Sequence, residues 1–375
     1  MRLPSASLEN WMREYYFSVD HDIGSSGVQD FTFAQLRALV GLEHRELDEL
    51  VMQDSQTLGG MGMRRALAGR WTGGDVDRVM VTHGATEANF LLNHALLEPG
   101  DEVVALSPIY RQLSGVAEAI GCPVRPWPLH PENGWRPDLD EAASLITPRT
   151  RMVIVNFPHN PTGASLTRDE QQALVDACAR VGAWLVWDAA FGELVYDTPP
   201  LPDPGPMYER AVSMGTLSKA YGLPGLRVGW CLAPPEVLAR MAAVRDYLTL
   251  HLSPMVELIA TRAVEHADTI VGMRLAQARA NRERVARWIE EQEGAVSWVP
   301  PTGGVCAFPR LHQVADVEEL CHRLAREHRV LLVPGTCFEV PGHVRLGFGR
   351  SPEELEAGLQ GLSEVLAASG APVPA

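Results

Sequence analysis

From about residue 75 to residue 235 the chain alternates short, continuously apolar runs with segments of helical period. That alternation leaves few folds open. The runs at 79–82, 102–106, 123–127, 152–155, 184–188, 211–215 and 228–232 predict seven strands. Several lack the apolar–polar alternation of a strand with one wet face, so both faces are expected to be covered. Between them, residues 168–181 predict a helix opened by Thr167 as its N-cap. The pattern predicts an α/β domain built on a mainly parallel seven-stranded sheet. Residues 254–291 predict one long helix, and 296–366 mix short strands and helices in a second, smaller α+β layer. We expect a large domain over 46–280 and a small domain assembled from 1–45 and 281–375.

Composition narrows the partners. With 47 acidic against 32 basic residues, the net charge of −15 argues against a nucleic-acid surface. The first residues lack the apolar run of a signal peptide, and no stretch approaches 18 consecutive apolar residues, so no membrane partner is expected. The six cysteines form neither a CxxC pair nor a zinc spacing, which predicts reduced thiols in a cytoplasmic protein and no metal.

In an open α/β sheet, ligands bind outside the carboxyl ends of the strands, and the informative residues fall there. Gly84, Ala85 and Thr86 follow the first strand and open a helix, offering backbone N–H groups and a hydroxyl to an anion. Tyr110 follows the second strand, where its ring can stack on a flat heteroaromatic group; a half-buried loop tyrosine is the plain alternative. The fourth strand runs into Asn156-Phe-Pro-His-Asn160-Pro-Thr-Gly163, a good turn that leaves the Asn160 side chain free to bond a phenolic oxygen. Asp188 ends the fifth strand, where a carboxylate needs a partner such as a protonated ring nitrogen, or else caps the next segment. Then come Thr216, Ser218, Lys219 and Arg227. A lone lysine in a glycine-rich loop is ordinarily solvated. Framed by two hydroxyls and a guanidinium suited to bidentate phosphate binding, it points instead to a Schiff base with pyridoxal 5'-phosphate.

This ordered set, spread over nearly the whole chain, resembles the class I/II aminotransferases, the fold type I pyridoxal-phosphate enzymes. The resemblance implies Lys219 as the catalytic, cofactor-bearing amine, Asp188 at the pyridine nitrogen, Asn160 at the ring hydroxyl and Tyr110 against the ring. It implies that Gly84, Ala85, Thr86, Thr216, Ser218 and Arg227 hold the phosphate. Arg345, in His-Val-Arg-Leu-Gly-Phe, would grip the α-carboxylate of an amino acid substrate. Ser25, Ser26 and Gly27 would form a substrate-binding strand, and the enzyme would be a homodimer.

Two departures stand out. Phe191 occupies the position where typical members carry a tyrosine that bonds the cofactor hydroxyl. The segment 55–64 lacks the tyrosine that reaches into a neighbouring subunit. The runs 24–33, 156–163 and 246–254 are similar to a branch that cyclises β-hydroxylated arginines in antibiotic pathways. An ordinary aminotransferase using 2-oxoglutarate is the alternative. Glu9, Asp30 and Asp246 are the carboxylates considered for a guanidinium.

Overall fold

The computed structural model describes residues 3–368. Its largest sheet has the seven expected strands, numbered here in chain order: β1 (Val79–Thr82), β2 (Glu102–Ser107), β3 (Val124–Pro128), β4 (Thr150–Asn156), β5 (Trp184–Asp188), β6 (Ala211–Thr216) and β7 (Gly229–Leu232). They lie in the order β1-β7-β6-β5-β4-β2-β3. All neighbours are parallel except β7, which runs antiparallel to both β1 and β6.

The continuous apolar runs have a simple cause. Successive strand residues point to opposite faces, and here both faces are packed. Val103, Ala105, Met152, Ile154 and Val186 join one core cluster, whereas Val104, Leu106, Val153, Val155, Leu185 and Trp187 join another. Helices cover both layers. The helix Arg168–Val181 begins with the reciprocal capping box of Thr167 and Glu170 and stops at Gly182, whose φ of 73° is left-handed.

One expectation needs correction. The long helix predicted over 254–291 is two helices, Pro254–Glu265 and Ala267–Glu291, broken at His266. His266 leaves helical geometry (φ −106°, ψ 21°), and the Arg262 carbonyl is met by both its backbone N–H at 3.2 Å and its ring Nδ1 at 2.9 Å. A helical sequence period continues across such a break, so the pattern alone hides it.

The smaller layer contains a three-stranded antiparallel sheet in which Val344–Gly347 lies between Cys306–Ala307 and Val333–Pro334. The N-terminal segment crosses to it, and His21–Asp22 pairs in parallel with Val330–Leu331. Gly347 donates its N–H to Ile23 O at 2.8 Å, and a Cβ there would run into the Ser25 carbonyl. Residues 24–27 are irregular backbone rather than the expected strand, which ends at Asp22, and only glycine at 347 lets them lie so close to Arg345. No helix of the described residues is long and apolar enough to cross a membrane, and all six cysteines are unpaired.

Candidate active site

The carboxyl ends of β1, β2, β4, β5 and β6 converge on one edge of the sheet. Because β7 runs the other way, Arg227, just before it, reaches the same edge. A cleft of about 870 Å³ opens there. Ser25, Ser26, Gly27, Ala85, Thr86, Tyr110, Asn160, Asp188, Thr216, Ser218, Lys219, Arg227 and Arg345 all line it. Gly84 does not; it is buried beneath Arg227, where a Cβ would come within 2.8 Å of Nη2. Its φ of 75° also demands glycine.

Lys219 presents its Nζ 2.8 Å from Ser26 Oγ and 5.5 Å from the centre of the Phe191 ring. Burial, and then the charge of Arg345, brings the amine down to about 8. A lysine in that state exchanges protons and reacts as a nucleophile near neutral pH.

Asp188 is buried at the tip of β5. Its Oδ1 accepts from Ala190 N at 2.9 Å and closes a turn; no helix follows, so the helix-cap role weighed from sequence is not the one it serves. That bond and the Lys219 charge do not offset burial, which pushes the carboxyl up to about 6. Asn156 donates to Asp188 O at 3.1 Å and accepts from Asn160 N at 2.8 Å, locking the end of β4 to the end of β5. Asn160 accepts from Arg345 Nη1 at 3.3 Å, which leaves its amide donor for the cleft. His159 lies wholly inside. Its Nε2 is 2.8 Å from Pro108 O, which only accepts, and its Nδ1 is 2.8 Å from the Thr162 hydroxyl. The carbonyl holds a proton on Nε2, and burial, which outweighs that bond, lowers the ring's basicity to about 4, so it is neutral near pH 7. It ties two loops together.

The hydroxyls of Thr216 and Ser218 are 3.0 Å apart, and Arg227 Nη1 reaches Ser218 Oγ at 3.2 Å. Arg227 holds a left-handed backbone (φ 53°), unusual for a non-glycine residue and consistent with a functional constraint. With the N-terminus of the helix Gly84–Leu96 opposite, these groups form an anion cradle. Gly229 packs against this turn so closely that a Cβ would lie 2.5 Å from Gly84 C.

Several features escaped sequence reasoning. Arg350 lines the cleft and pairs with Asp30 at 2.6 Å and Asp22 at 3.1 Å. Asp22 Oδ1 accepts from Gly24 N and Ser25 N at 3.0 and 2.8 Å, so this network fixes the 24–27 segment. Glu87 meets the buried Arg245 at 3.5 Å. Burial opposes its ionisation, but hydrogen bonds from His83 and Thr249 and the Arg245 charge bring it down to about 2. The helix Ser7–Tyr15 inserts Leu8, Trp11 and Tyr15 into the core and turns Glu9 toward Tyr110, whose hydroxyl donates to it at 2.5 Å. No periodicity links such partners, which lie far apart along the chain.

A sequence model of the family described as "Aminotransferase class I and II" matches residues 61–362. The chain belongs to that family. It is 50% identical to capreomycidine synthase of Streptomyces vinaceus over 366 residues, covering 97% of this chain and 94% of that protein. A crystal structure of the PLP-dependent cyclase OrfR superposes with a TM-score of 0.93, 47% identity and 98% coverage of both chains. A PLP-dependent aminotransferase from Streptococcus suis superposes with the same TM-score at 32% identity, covering 98% of this chain and 99% of that one. Fold type I and dependence on pyridoxal phosphate follow from this membership. The cleft fits that group on its own terms. It offers a reactive amine, a cradle for a phosphate, and a buried carboxylate whose burial is costly until a cation such as a protonated ring nitrogen pairs with it.

Proposed function

We propose that this protein is a pyridoxal-phosphate-dependent cyclase of a β-hydroxylated arginine, forming a capreomycidine- or streptolidine-type ring in antibiotic biosynthesis. The observation that carries this reading is the 50% identity to capreomycidine synthase over 97% of the chain. That span takes in the 24–27 segment of the cleft, which precedes the first residue matched by the general family model. The likeness to OrfR supports it independently.

In this reading Lys219 carries the cofactor, Asp188 pairs with its ring nitrogen, Asn160 faces its hydroxyl, and Tyr110 lies against the ring. Ala85, Thr86, Thr216, Ser218 and Arg227 hold the phosphate over the turn that Gly84 makes possible. Bound there, the cofactor supplies an electron sink that stabilises the substrate once its α-proton is lost. Arg345 holds the α-carboxylate through paired charge-assisted hydrogen bonds, and Ser25, Ser26 and Gly27 flank the backbone of the substrate. Lys219 takes the α-proton, keeps it within the cleft and returns it to the same carbon. Between those events the β-carbon loses its hydroxyl and gains a bond to a guanidine nitrogen of the same molecule. One C–O bond breaks, one C–N bond forms, and the nitrogen's proton leaves with the hydroxyl as water. Closure within one molecule removes the need to collect a second reactant, an advantage worth effective molarities of about 10⁵ M or more.

The reading includes a homodimer, supported by the exposed Tyr247, Leu248 and Leu250 beside the cleft mouth, which Leu248 lines. It also includes a large domain over 46–280 with a small domain from 1–45 and 281–375, supported by the pairing of His21–Asp22 with Val330–Leu331. A cytoplasmic location is supported by the unpaired cysteines.

Mass spectrometry of the holoenzyme incubated with 3-hydroxyarginine and with 3,4-dihydroxyarginine tests the proposal. Loss of one water, without a keto-acid product, is expected. Turnover that requires 2-oxoglutarate and converts the cofactor to its amine form would identify an ordinary aminotransferase instead.

A further inference from the structure

We infer that Glu9 is the carboxylate that recognises the substrate's guanidinium. The inference rests on the reading of the substrate as an arginine derivative and adds the residue that selects for it.

Four carboxylates line the cleft: Glu9, Asp30, Glu87 and Asp188. Three are committed elsewhere. Asp30 is held by Arg350 at 2.6 Å. Glu87 faces Arg245 at 3.5 Å and accepts from Thr249 and His83. Asp188 sits at the strand tip, hydrogen-bonded to Ala190 N and facing Lys219. Asp246, considered from sequence, is exposed and does not line the cleft. Of the four, Asp30 and Glu87 make ion pairs and Asp188 and Glu9 do not; with Asp188 deep at the strand tip beside Lys219, Glu9 is the carboxylate left open to a cationic side chain.

Its position is built. Tyr110 Oη donates to Glu9 Oε1 at 2.5 Å, and Gln112 Nε2 donates to the same oxygen at 3.1 Å. Both donors approach one oxygen, so Oε2 keeps its acceptor capacity. Leu8, Trp11 and Tyr15 are buried, and Trp11 Nε1 donates to Leu332 O at 3.0 Å, which fixes the rotation of the helix that carries Glu9. Glu9 and Arg345 both act on the charge of Lys219, so the three share one electrostatic neighbourhood. An amino acid held at its α-carboxylate by Arg345, with its α-carbon at Lys219, can extend a cationic side chain toward Glu9. A planar guanidinium matches a carboxylate in two parallel N–H···O bonds, and a partly desolvated site strengthens them.

The test uses the holoenzyme with arginine and with citrulline, whose side chain has nearly the same shape but no charge. Binding is read from the change in the cofactor's absorption. The native enzyme is expected to bind arginine more tightly than citrulline. Glu9→Gln is expected to weaken arginine by about 10- to 100-fold, the range for a hydrogen-bonded charge. Citrulline should stay within about twofold, as for a change that disturbs no packing. Equal weakening of both ligands, or of neither, would overturn the inference. So would a native enzyme that binds citrulline as tightly as arginine, a result that requires no variant. Because the ratio is measured without turnover, failure to cyclise hydroxyarginine and failure of this inference are separate results.

Discussion

Arg345 donates from Nη1 to the side-chain oxygen of Asn160 at 3.3 Å while its Nε holds Gly24 O at 3.0 Å. One guanidinium thereby braces the turn after β4 and the 24–27 segment, and its charge bears on Lys219.

That charge sets a measurable pH dependence. The ordinary value for a lysine is 10.5, and in the fold Lys219 falls to about 8 through burial and then Arg345. Only the free amine attacks an aldehyde, so uptake of pyridoxal phosphate by cofactor-free protein should rise about tenfold per pH unit below 8 and level off above it. Arg345→Gln removes a positive neighbour and should move that midpoint upward. Stopped-flow absorbance across pH 6 to 10 checks both statements, and Lys219→Ala should abolish the visible band.

Asp188→Asn should separate stability from catalysis. The folded carboxyl titrates near 6 and an unstructured one near 3.8, so between those values the folded state binds the extra proton. The contribution of Asp188 to stability is therefore full below 3.8 and is lost as pH rises through 6. Cofactor-free Asp188→Asn protein should gain up to about 3 kcal/mol at pH 7, judged by urea unfolding. Its turnover should fall by about 100-fold or more, because a neutral amide cannot hold a ring nitrogen cationic.

Phe191→Tyr should restore a donor toward the cofactor hydroxyl. A bond to the ionised hydroxyl favours loss of the neighbouring proton, so the pH at which the holoenzyme's absorption changes should drop by about one unit. A spectrophotometric titration of the two proteins decides this, and an unchanged midpoint would mean that the added hydroxyl does not reach the ring.

His159 predicts an acid weakness remote from the chemistry. Its folded value is about 4 against an ordinary 6.5, so the unfolded chain takes up a proton first. The stability it provides is complete above 6.5 and is lost as pH falls toward 4, by about 3 kcal/mol. Glutamine can make the same two hydrogen bonds without titrating. His159→Gln should flatten the acid limb of a stability profile measured by urea unfolding from pH 4 to 7.

The strands were legible because burial on both faces writes long apolar runs into the chain, as in Met152 to Val155. The strand-end residues were legible because each breaks such a run with a polar group. Asp188 after Trp187 is the plainest example. Other features were not. The helix break at His266 leaves the apolar period intact, and the Glu9–Tyr110 bond joins residues with no spacing to connect them. The neutrality of His159 comes from complete burial of its ring, a property of packing alone.

The helix Ser7–Tyr15 stands at the rim, whereas the reactive amine rises from the interior of the molecule. On the inference that Glu9 reads the guanidinium, recognition of a side chain and the chemistry at the α- and β-carbons fall to different elements of the fold. A new preference for one amino acid over another can arise by rewriting a single peripheral turn, while the deep chemistry stays as it is.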